Sequence, residues 1–411
     1  FNFKYFKDKI KKRKTKLKDI LMNQEFVAGL GNIYTNEAIF LSKISPKKRL
    51  NKLKYINSVS IEPLFIENEK YDISININEN KKTGNFLFGG SFSGDTGLGF
   101  ALSLKDSNLL GTGNEIDTSF AINEETALFK INYSFYSNFN PLLKNTFTIF
   151  NEEDDLTSSF GYKVKKNGIG YALNFAISDT LSFSSGVNYE DSLGHAGSGS
   201  KDFINDNIGS FQNLSLNFTL KSNTTNNFLY PTDGSSNRLF FKFSPEEISD
   251  DSYYQILLNN EIFFQMKNSN SFFFTDNNIG FAESTNGKLK TKNAFSLGGM
   301  NFKGFEYRGI GQFQDNLYLG GNKYFTSSIG YGSSFLFDNK DNINIKLFFT
   351  AGSLWDSDYI ANDDFELRTS AGLSFDILTA VGPLSLSYAI PIEKNSTDKI
   401  REFNFSLGTS F

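Results

Sequence analysis

Side chains able to do covalent chemistry are scarce in this chain. Its 411 residues include no Cys and one His, His195. Without Cys there is no disulfide framework, zinc ribbon or thiol nucleophile. A single His removes HExxH zinc sites, which need two, and nearly all other histidine-centred chemistry. His195 sits among Gly194, Ala196 and Gly197, which reads as loop. The acidic run Glu152, Glu153, Asp154 and Asp155 falls between strand candidates, so a solvated loop is expected, with calcium binding as the alternative. No catalytic constellation emerges. The expectation is a protein that is not an enzyme, with no cofactor and no metal.

The elements around these residues change character along the chain. Residues 1–54 carry 15 Lys/Arg against 4 Asp/Glu, a local +11, which leaves −15 for the rest within the total of −4. Apolar spacing is helical over 5–22 and 32–44. From about Tyr71 the period drops to two: Leu214, Leu216, Phe218 and Leu220 oppose Ser215, Asn217 and Thr219, and 343–352 repeats the pattern. Polar stretches at 190–210 and 221–227 read as loops. Hydrophobic residues are 39% of the chain, and no apolar run approaches the ~18 residues of a membrane helix. Aromatics, 16% of residues, recur on nearly every strand candidate. The opposite strand faces are too polar for a dry sandwich core but suit a wet lumen. At about 20 residues per strand and loop, 84–411 holds roughly sixteen strands. The fold expected is therefore all-β: a transmembrane antiparallel β-barrel of about 16 strands, preceded by a short α-helical segment. On pattern alone a large soluble β protein stays open.

An ordered set of motifs narrows this. Asp106-Ser-Asn-Leu-Leu-Gly-Thr-Gly-Asn114, Leu229-Tyr-Pro-Thr-Asp-Gly-Ser235 and Gly298-Gly-Met-Asn-Phe-Lys-Gly-Phe-Glu-Tyr-Arg308 occur in that order. Leu319-Gly-Gly-Asn322, Ala351-Gly-Ser-Leu-Trp-Asp356 and Gly382-Pro-Leu-Ser-Leu-Ser-Tyr388 follow, before a strand ending at Phe411. Over about 71–411 the chain resembles the BamA-type outer-membrane protein assembly factors, the bacterial surface antigen barrels. That resemblance implies residence in the bacterial outer membrane and assembly and insertion of client outer-membrane proteins. In this family clients enter through a seam between first and last strands, with assembly-complex lipoproteins as partners. The seam strands are then 84–93 and 402–411, loosened by Gly89, Gly90 and Gly408 and ending at Phe411. A secretion pore of the related two-partner type is the alternative.

The resemblance also implies a signature loop folded into the lumen, here Lys303, Gly304 and Phe305. Two departures stand out: Lys303 replaces the family's Arg, and Thr350 replaces an acidic wall residue. Lys lacks the planar fork of Arg. Leu373, Phe375 and Ile377 share one face of 369–377, so Asp376 points to the lumen and is the partner expected for Lys303, with Arg368 competing. Packing of Phe305 and Tyr307 would be the other way to hold the loop.

Residues 1–56 resemble a different family. Phe26-Val-Ala-Gly-Leu-Gly-Asn-Ile-Tyr-Thr-Asn-Glu-Ala-Ile-Phe40 with Ile44-Ser-Pro46 is similar to the helix–two-turn–helix segment of formamidopyrimidine-DNA glycosylases. By that resemblance Asn32 would contact a DNA phosphate at a helix start. The glycosylase's N-terminal Pro-Glu and Cys zinc finger have no counterpart, so nucleic-acid binding rests on 1–56 alone and repair activity is not expected. The domains expected are 1–56, a glycosylase-like helical fragment; 57–83, a linker with a remnant POTRA strand at 71–78; and 84–411, the barrel in the lipid bilayer. No secretory signal is expected at the start. The two partial families meeting near residue 57 suggest a joining of two genes, and a barrel reduced in assembly by the lack of POTRA domains.

Overall fold

A computed structural model describes residues 56–66, 70–79, 83–137, 140, 142–227, 230–267, 271–333, 343–361, 363–379 and 382–408. In chain order the strands are β1 (Ile56–Ile66), β2 (Lys70–Glu79), β3 (Gly84–Ser93), β4 (Gly97–Asp106), β5 (Glu115–Ile122), β6 (Thr126–Tyr136), β7 (Leu143–Leu156) and β8 (Tyr162–Ala176). Next come β9 (Leu181–Ala196), β10 (Gly209–Asn223), β11 (Gly234–Ser244), β12 (Tyr253–Gln265), β13 (Ser271–Ser284), β14 (Gly304–Phe305), β15 (Phe313–Gln314) and β16 (Leu317–Tyr318). The last are β17 (Lys323–Ser333), β18 (Ile343–Trp355), β19 (Arg368–Thr379), β20 (Gly382–Glu393), β21 (Ile400–Arg401) and β22 (Phe403–Leu407). Sixteen of them, β3 to β13 with β17 to β20 and β22, close an antiparallel barrel, the strand number expected from the sequence.

The two-residue period has a direct structural cause. On β4, Leu98, Phe100, Leu102 and Leu104 are exposed while Gly99 and Ala101 between them are buried. On β18, Leu347 and Phe349 face out, and Asn344, Phe348 and Thr350 are buried. Closure leaves no strand edge for most of the wall, and the outward apolar side chains match a lipid solvent.

Contacts separate two units. One holds the β1–β2 hairpin, the chain to Phe86, Leu104–Asp117 and Tyr133–Asn145. Within it, the Asn108 side chain accepts the Gly113 N–H at 2.7 Å and ties the 106–114 turn, and Asn114 donates to the Tyr133 hydroxyl at 2.8 Å. The hairpin includes the strand anticipated at 71–78 but pairs it with β1, in a segment expected to be linker. The other unit holds the remainder of the barrel and its long connections.

Three sequence expectations are corrected in this second unit. The stretch 190–210 is loop only between Ala196 and Gly209, and 221–223 belongs to β10. Polarity there marks a wet wall rather than a turn. His195 lies on β9 opposite Lys163. The acidic run sits on β7 and faces lysines of β8: Lys166 reaches Glu152 at 2.6 Å and Asp154 at 2.7 Å, Lys165 reaches Glu153 at 3.2 Å, and Lys163 reaches Asp155 at 2.5 Å. Alternating sides of one strand meet cross-strand cations, so the run is paired strand rather than loop, with Glu153 and Asp155 still exposed to solvent and Glu152 and Asp154 more covered.

The apolar core gathers where β13 hands over to β17 through the long connection 285–322. Leu289, Phe295, Leu297, Phe302, Phe305, Ile310, Tyr318 and Leu319 of that connection are buried against Leu156, Phe160, Tyr162, Ile204 and Leu354. Each fully buried side chain of this size contributes about 1.5–3 kcal/mol. A loop of this length is held by burying its own apolar residues.

Candidate functional site

Two features carry the site: the folded-back loop and the junction of β22 with β3. In the loop, Phe302 and Phe305 pack edge to face with ring centroids 5.2 Å apart, and both are buried. The Gly304 and Phe305 backbone pairs with Arg401 and Ile400 as the short β14–β21 ladder. Beyond it the Glu306 N–H donates to the Lys399 carbonyl at 2.9 Å, and the Lys399 N–H donates to the Gly309 carbonyl at 2.9 Å. The loop tip is therefore stitched to the segment that leads into the last strand.

Charge anchors the loop at a residue the sequence reading did not single out. Arg308 donates to Glu125 Oε1 at 3.1 Å and to Ser159 Oγ at 2.9 Å, and its guanidinium lies 5.0 Å from the Phe160 ring centre and 4.6 Å from that of Tyr307. Burial raises the Glu125 carboxyl above its ordinary range, with Arg308 opposing that rise. The signal was present in the motif, since Arg308 is the one guanidinium in 298–308, but its partner lies 183 residues away.

The Lys303 ammonium sits 5.0 Å from the centre of the Phe348 ring; among the described residues it makes no direct ion pair, and Asp376 and Asp276 attract it at longer range. Asp376, expected to point into a wet lumen, is buried, and its direct partners are Lys346 at 3.0 Å and the Ser385 hydroxyl at 2.6 Å. Lys346 and Asp376 are near neighbours on adjacent strands, with Asn344 directly opposite Asp376, so the wall supplies its own cation. Arg368 does not compete: it grips Asp398 through Nε at 3.1 Å and Nη2 at 3.3 Å, and both side chains are buried. Thr350 bonds Ser328 at 2.8 Å within the wall.

At the junction, among the described residues, β22 meets β3 through two residue pairs, Ser406↔Ser93 and Leu407↔Phe92, whereas β8 and β9 stay in register from Tyr162↔Ala196 to Ala176↔Ser182. The Gly94 N–H adds a bond to the Phe405 carbonyl at 3.3 Å, and the Phe92 and Phe405 rings lie 5.0 Å apart. Gly408 then turns off the strand line with φ +90°, a region that favours glycine, and a Cβ there would overlap the Gly90 carbonyl. Its N–H bonds the Pro383 carbonyl of β20 at 2.9 Å instead of β3. Phe86, Leu87 and Phe88 of β3 are all exposed, breaking the alternation seen on β4. Gly89 and Gly90 lie on β3 as expected. Phe411 and Asn32 lie outside the described residues.

Comparison with known proteins agrees with this architecture. A helix–two-turn–helix domain model of formamidopyrimidine-DNA glycosylase matches residues 1–61, and the glycosylase of Aliivibrio fischeri is 44% identical over 54 residues, 13% of this chain and 20% of its own length. The outer membrane protein assembly factor BamA of Neisseria meningitidis is 25% identical over 422 residues, covering 89% of this chain and 52% of that protein. The chain thus spans about half the length of this curated relative. The crystal structure of BamA from Haemophilus ducreyi lacking POTRA domains 1–3 superposes with a TM-score of 0.80 at 23% identity, covering 92% of this chain and 79% of that one. The family model described as an Omp85 superfamily domain matches residues 108–411. The sixteen-stranded wall, its lipid-facing apolar side chains and this match together place the chain in the Omp85 superfamily, as a β-barrel of the bacterial outer membrane.

Proposed function

We propose that the barrel assembles and inserts other outer-membrane β-proteins by opening between β3 and β22. The observation that carries this reading is the junction itself, which among the described residues is held in register by two residue pairs, against fifteen between β8 and β9. Backbone N–H and C=O groups released along β3 cannot stay unpaired in lipid. They form a template that a client's terminal strand satisfies by antiparallel addition. The exposed Phe86, Leu87 and Phe88 border that template with apolar surface. Clients are unfolded outer-membrane proteins, and lipoproteins of an assembly complex are the partners this reading brings with it. The barrel work needs no cofactor.

On the same reading residues 1–56 are the glycosylase-like segment, of which 1–55 lie outside the described residues, 57–83 a connecting segment that holds most of the β1–β2 hairpin, and 84–411 the working barrel. Asn32, Gly89, Gly90, Gly408 and Phe411 keep the roles the family resemblance implies.

A directly opposed antiparallel pair suits a disulfide, and the chain has no native Cys to interfere. Ser93→Cys with Ser406→Cys should cross-link the junction. In proteoliposomes given a urea-unfolded eight-stranded client, the oxidised variant should fold client at the rate of empty vesicles, and reduction should restore the uncrosslinked rate. Equal client folding before and after reduction would refute the seam mechanism.

A further inference from the structure

Asp95, in the turn between β3 and β4, meets two distant parts of the chain. Its carboxylate pairs with the Arg401 guanidinium and accepts the Met300 N–H of the folded-back loop at 2.9 Å. Arg401 also donates to the Gly94 carbonyl at 2.7 Å and to Asn404 Oδ1 at 2.8 Å, and Asn404 sits on β22. Gly299 has φ +63°, and a Cβ there would overlap the Asp95 carboxylate, so glycine is what lets the loop backbone come this close.

The placement matters because Asp95 and Gly94 belong to the β3 side of the junction, whereas Arg401 and Asn404 belong to the β22 side. Arg401 is at the same time the backbone partner of Gly304 in the loop. One guanidinium therefore ties together the first hairpin, the last strand and the loop tip. Among the described residues the backbone ladder between β22 and β3 amounts to two residue pairs, so a charge-assisted bond beside it adds substantially to what closes that end. Both side chains are substantially buried, at 26% and 13% exposure, which limits screening by solvent.

We propose that Asp95 is a positioning residue that latches the junction: with Arg401 it holds the loop end of the seam shut, and the loop's hold on Met300 couples loop seating to seam closure. Releasing the loop tip removes the Met300 contact and loosens the β14–β21 ladder that aims Arg401. Seam opening and loop displacement are then one transition with two readouts. The inference rests on the seam being the working part of the barrel, and its test separates the two ideas.

The test uses the full chain in lipid nanodiscs. Leu98→Cys on β4 and Ile392→Cys on β20 flank the junction with exposed side chains, and spin labels there report the width of the gap. Asp95→Asn keeps an oxygen for the Met300 N–H but loses the charge facing Arg401. It should raise the open-to-closed ratio by roughly ten- to hundredfold. Arg401→Gln should do the same, and Asp95→Arg combined with Arg401→Asp should bring the ratio most of the way back. Arg401→Lys keeps the charge and loses the fork, so it reads the latch even where the other variants do not fold. Its ratio should lie between those of the wild type and Arg401→Gln.

Unchanged distance distributions in the Asp95→Asn and Arg401→Gln variants, or in Arg401→Lys where those do not fold, would overturn the latch, as would a wild-type population already fully open. If the latch variants widen the gap while the oxidised Ser93→Cys/Ser406→Cys chain still folds client normally, the latch stands and the seam mechanism falls. If cross-linking blocks folding and the latch variants leave the gap unchanged, the reverse holds.

Discussion

Arg308 offers the sharpest test of how the loop is held. Arg308→Ala removes the ion pair to Glu125, the bond to Ser159 and the stacking on Phe160 and Tyr307. The Glu125 side chain, 16% exposed, is left with no cation beside it. Breaking one half of a buried pair costs about 3–5 kcal/mol, and partial exposure puts this case near 3. The hydroxyl bond adds about 1.5 kcal/mol and the two ring contacts about 0.5–1 each. These contributions share atoms and do not add fully, so about 4 kcal/mol of local stability is the expected loss. Arg308 also has φ +55°, a conformation costing a non-glycine residue about 1 kcal/mol. Arg308→Gly should therefore be milder than Arg308→Ala by about that amount. In hydrogen-exchange mass spectrometry the amides of Gly309 and Ile310, bonded to Glu306 and Leu297, report loop opening. About 4 kcal/mol corresponds to exchange roughly a thousandfold faster. Glu125→Ala should give a similar loss, and the double variant should be little worse than either single one. Exchange within tenfold of wild type in Arg308→Ala, or full additivity with Glu125→Ala, would refute this account of the anchor.

Two further outcomes follow from the charges of the same region. Lys303→Met should cost about 1–2 kcal/mol, since a ring contact and the longer-range attraction of Asp376 and Asp276 are lost, whereas Lys346→Met removes the 3.0 Å ion pair of buried Asp376 and should cost about 3 kcal/mol. Urea midpoints read on heat-modifiability gels compare the two, and equal losses would show that Asp376 is held by Lys303 after all. Glu125 has a folded-state pKa raised above 4.5 by burial. The stability linked to its protonated form is thus full below the unfolded value and lost as pH rises through the folded one, and the Arg308 pair offsets part of that loss. Glu125→Gln should flatten that fall in stability above pH 4.5, and a midpoint–pH profile parallel to wild type would contradict the burial argument.

Much of this molecule was determined locally. Side-chain alternation in a strand depends only on the pleat, so Leu347 and Phe349 facing away from Asn344 and Thr350 could be read without knowing any neighbour. Bilayer thickness limits strand length, which is why a count of about sixteen strands was within reach of chain length alone. The segment 84–93, which is β3, was recognisable only through the family resemblance, because Phe86, Leu87 and Phe88 are all exposed and break the alternation. Polar stretches misled because a lumen-facing side chain and a loop side chain are both wet: residues 190–196 and the run at Glu152 are strand. Which charge meets which was decided by register and by the path of the loop. Lys346 reached Asp376 because adjacent strands bring the two side chains close on the lumen face, and Lys303 was left over Phe348. Arg308 met Glu125, and Arg401 met Asp95, across sequence separations of 183 and 306 residues. Periodicity carries no information about such pairs, because it records which solvent a residue faces. Only closure of the barrel and burial of 285–322 within it bring these distant partners into contact.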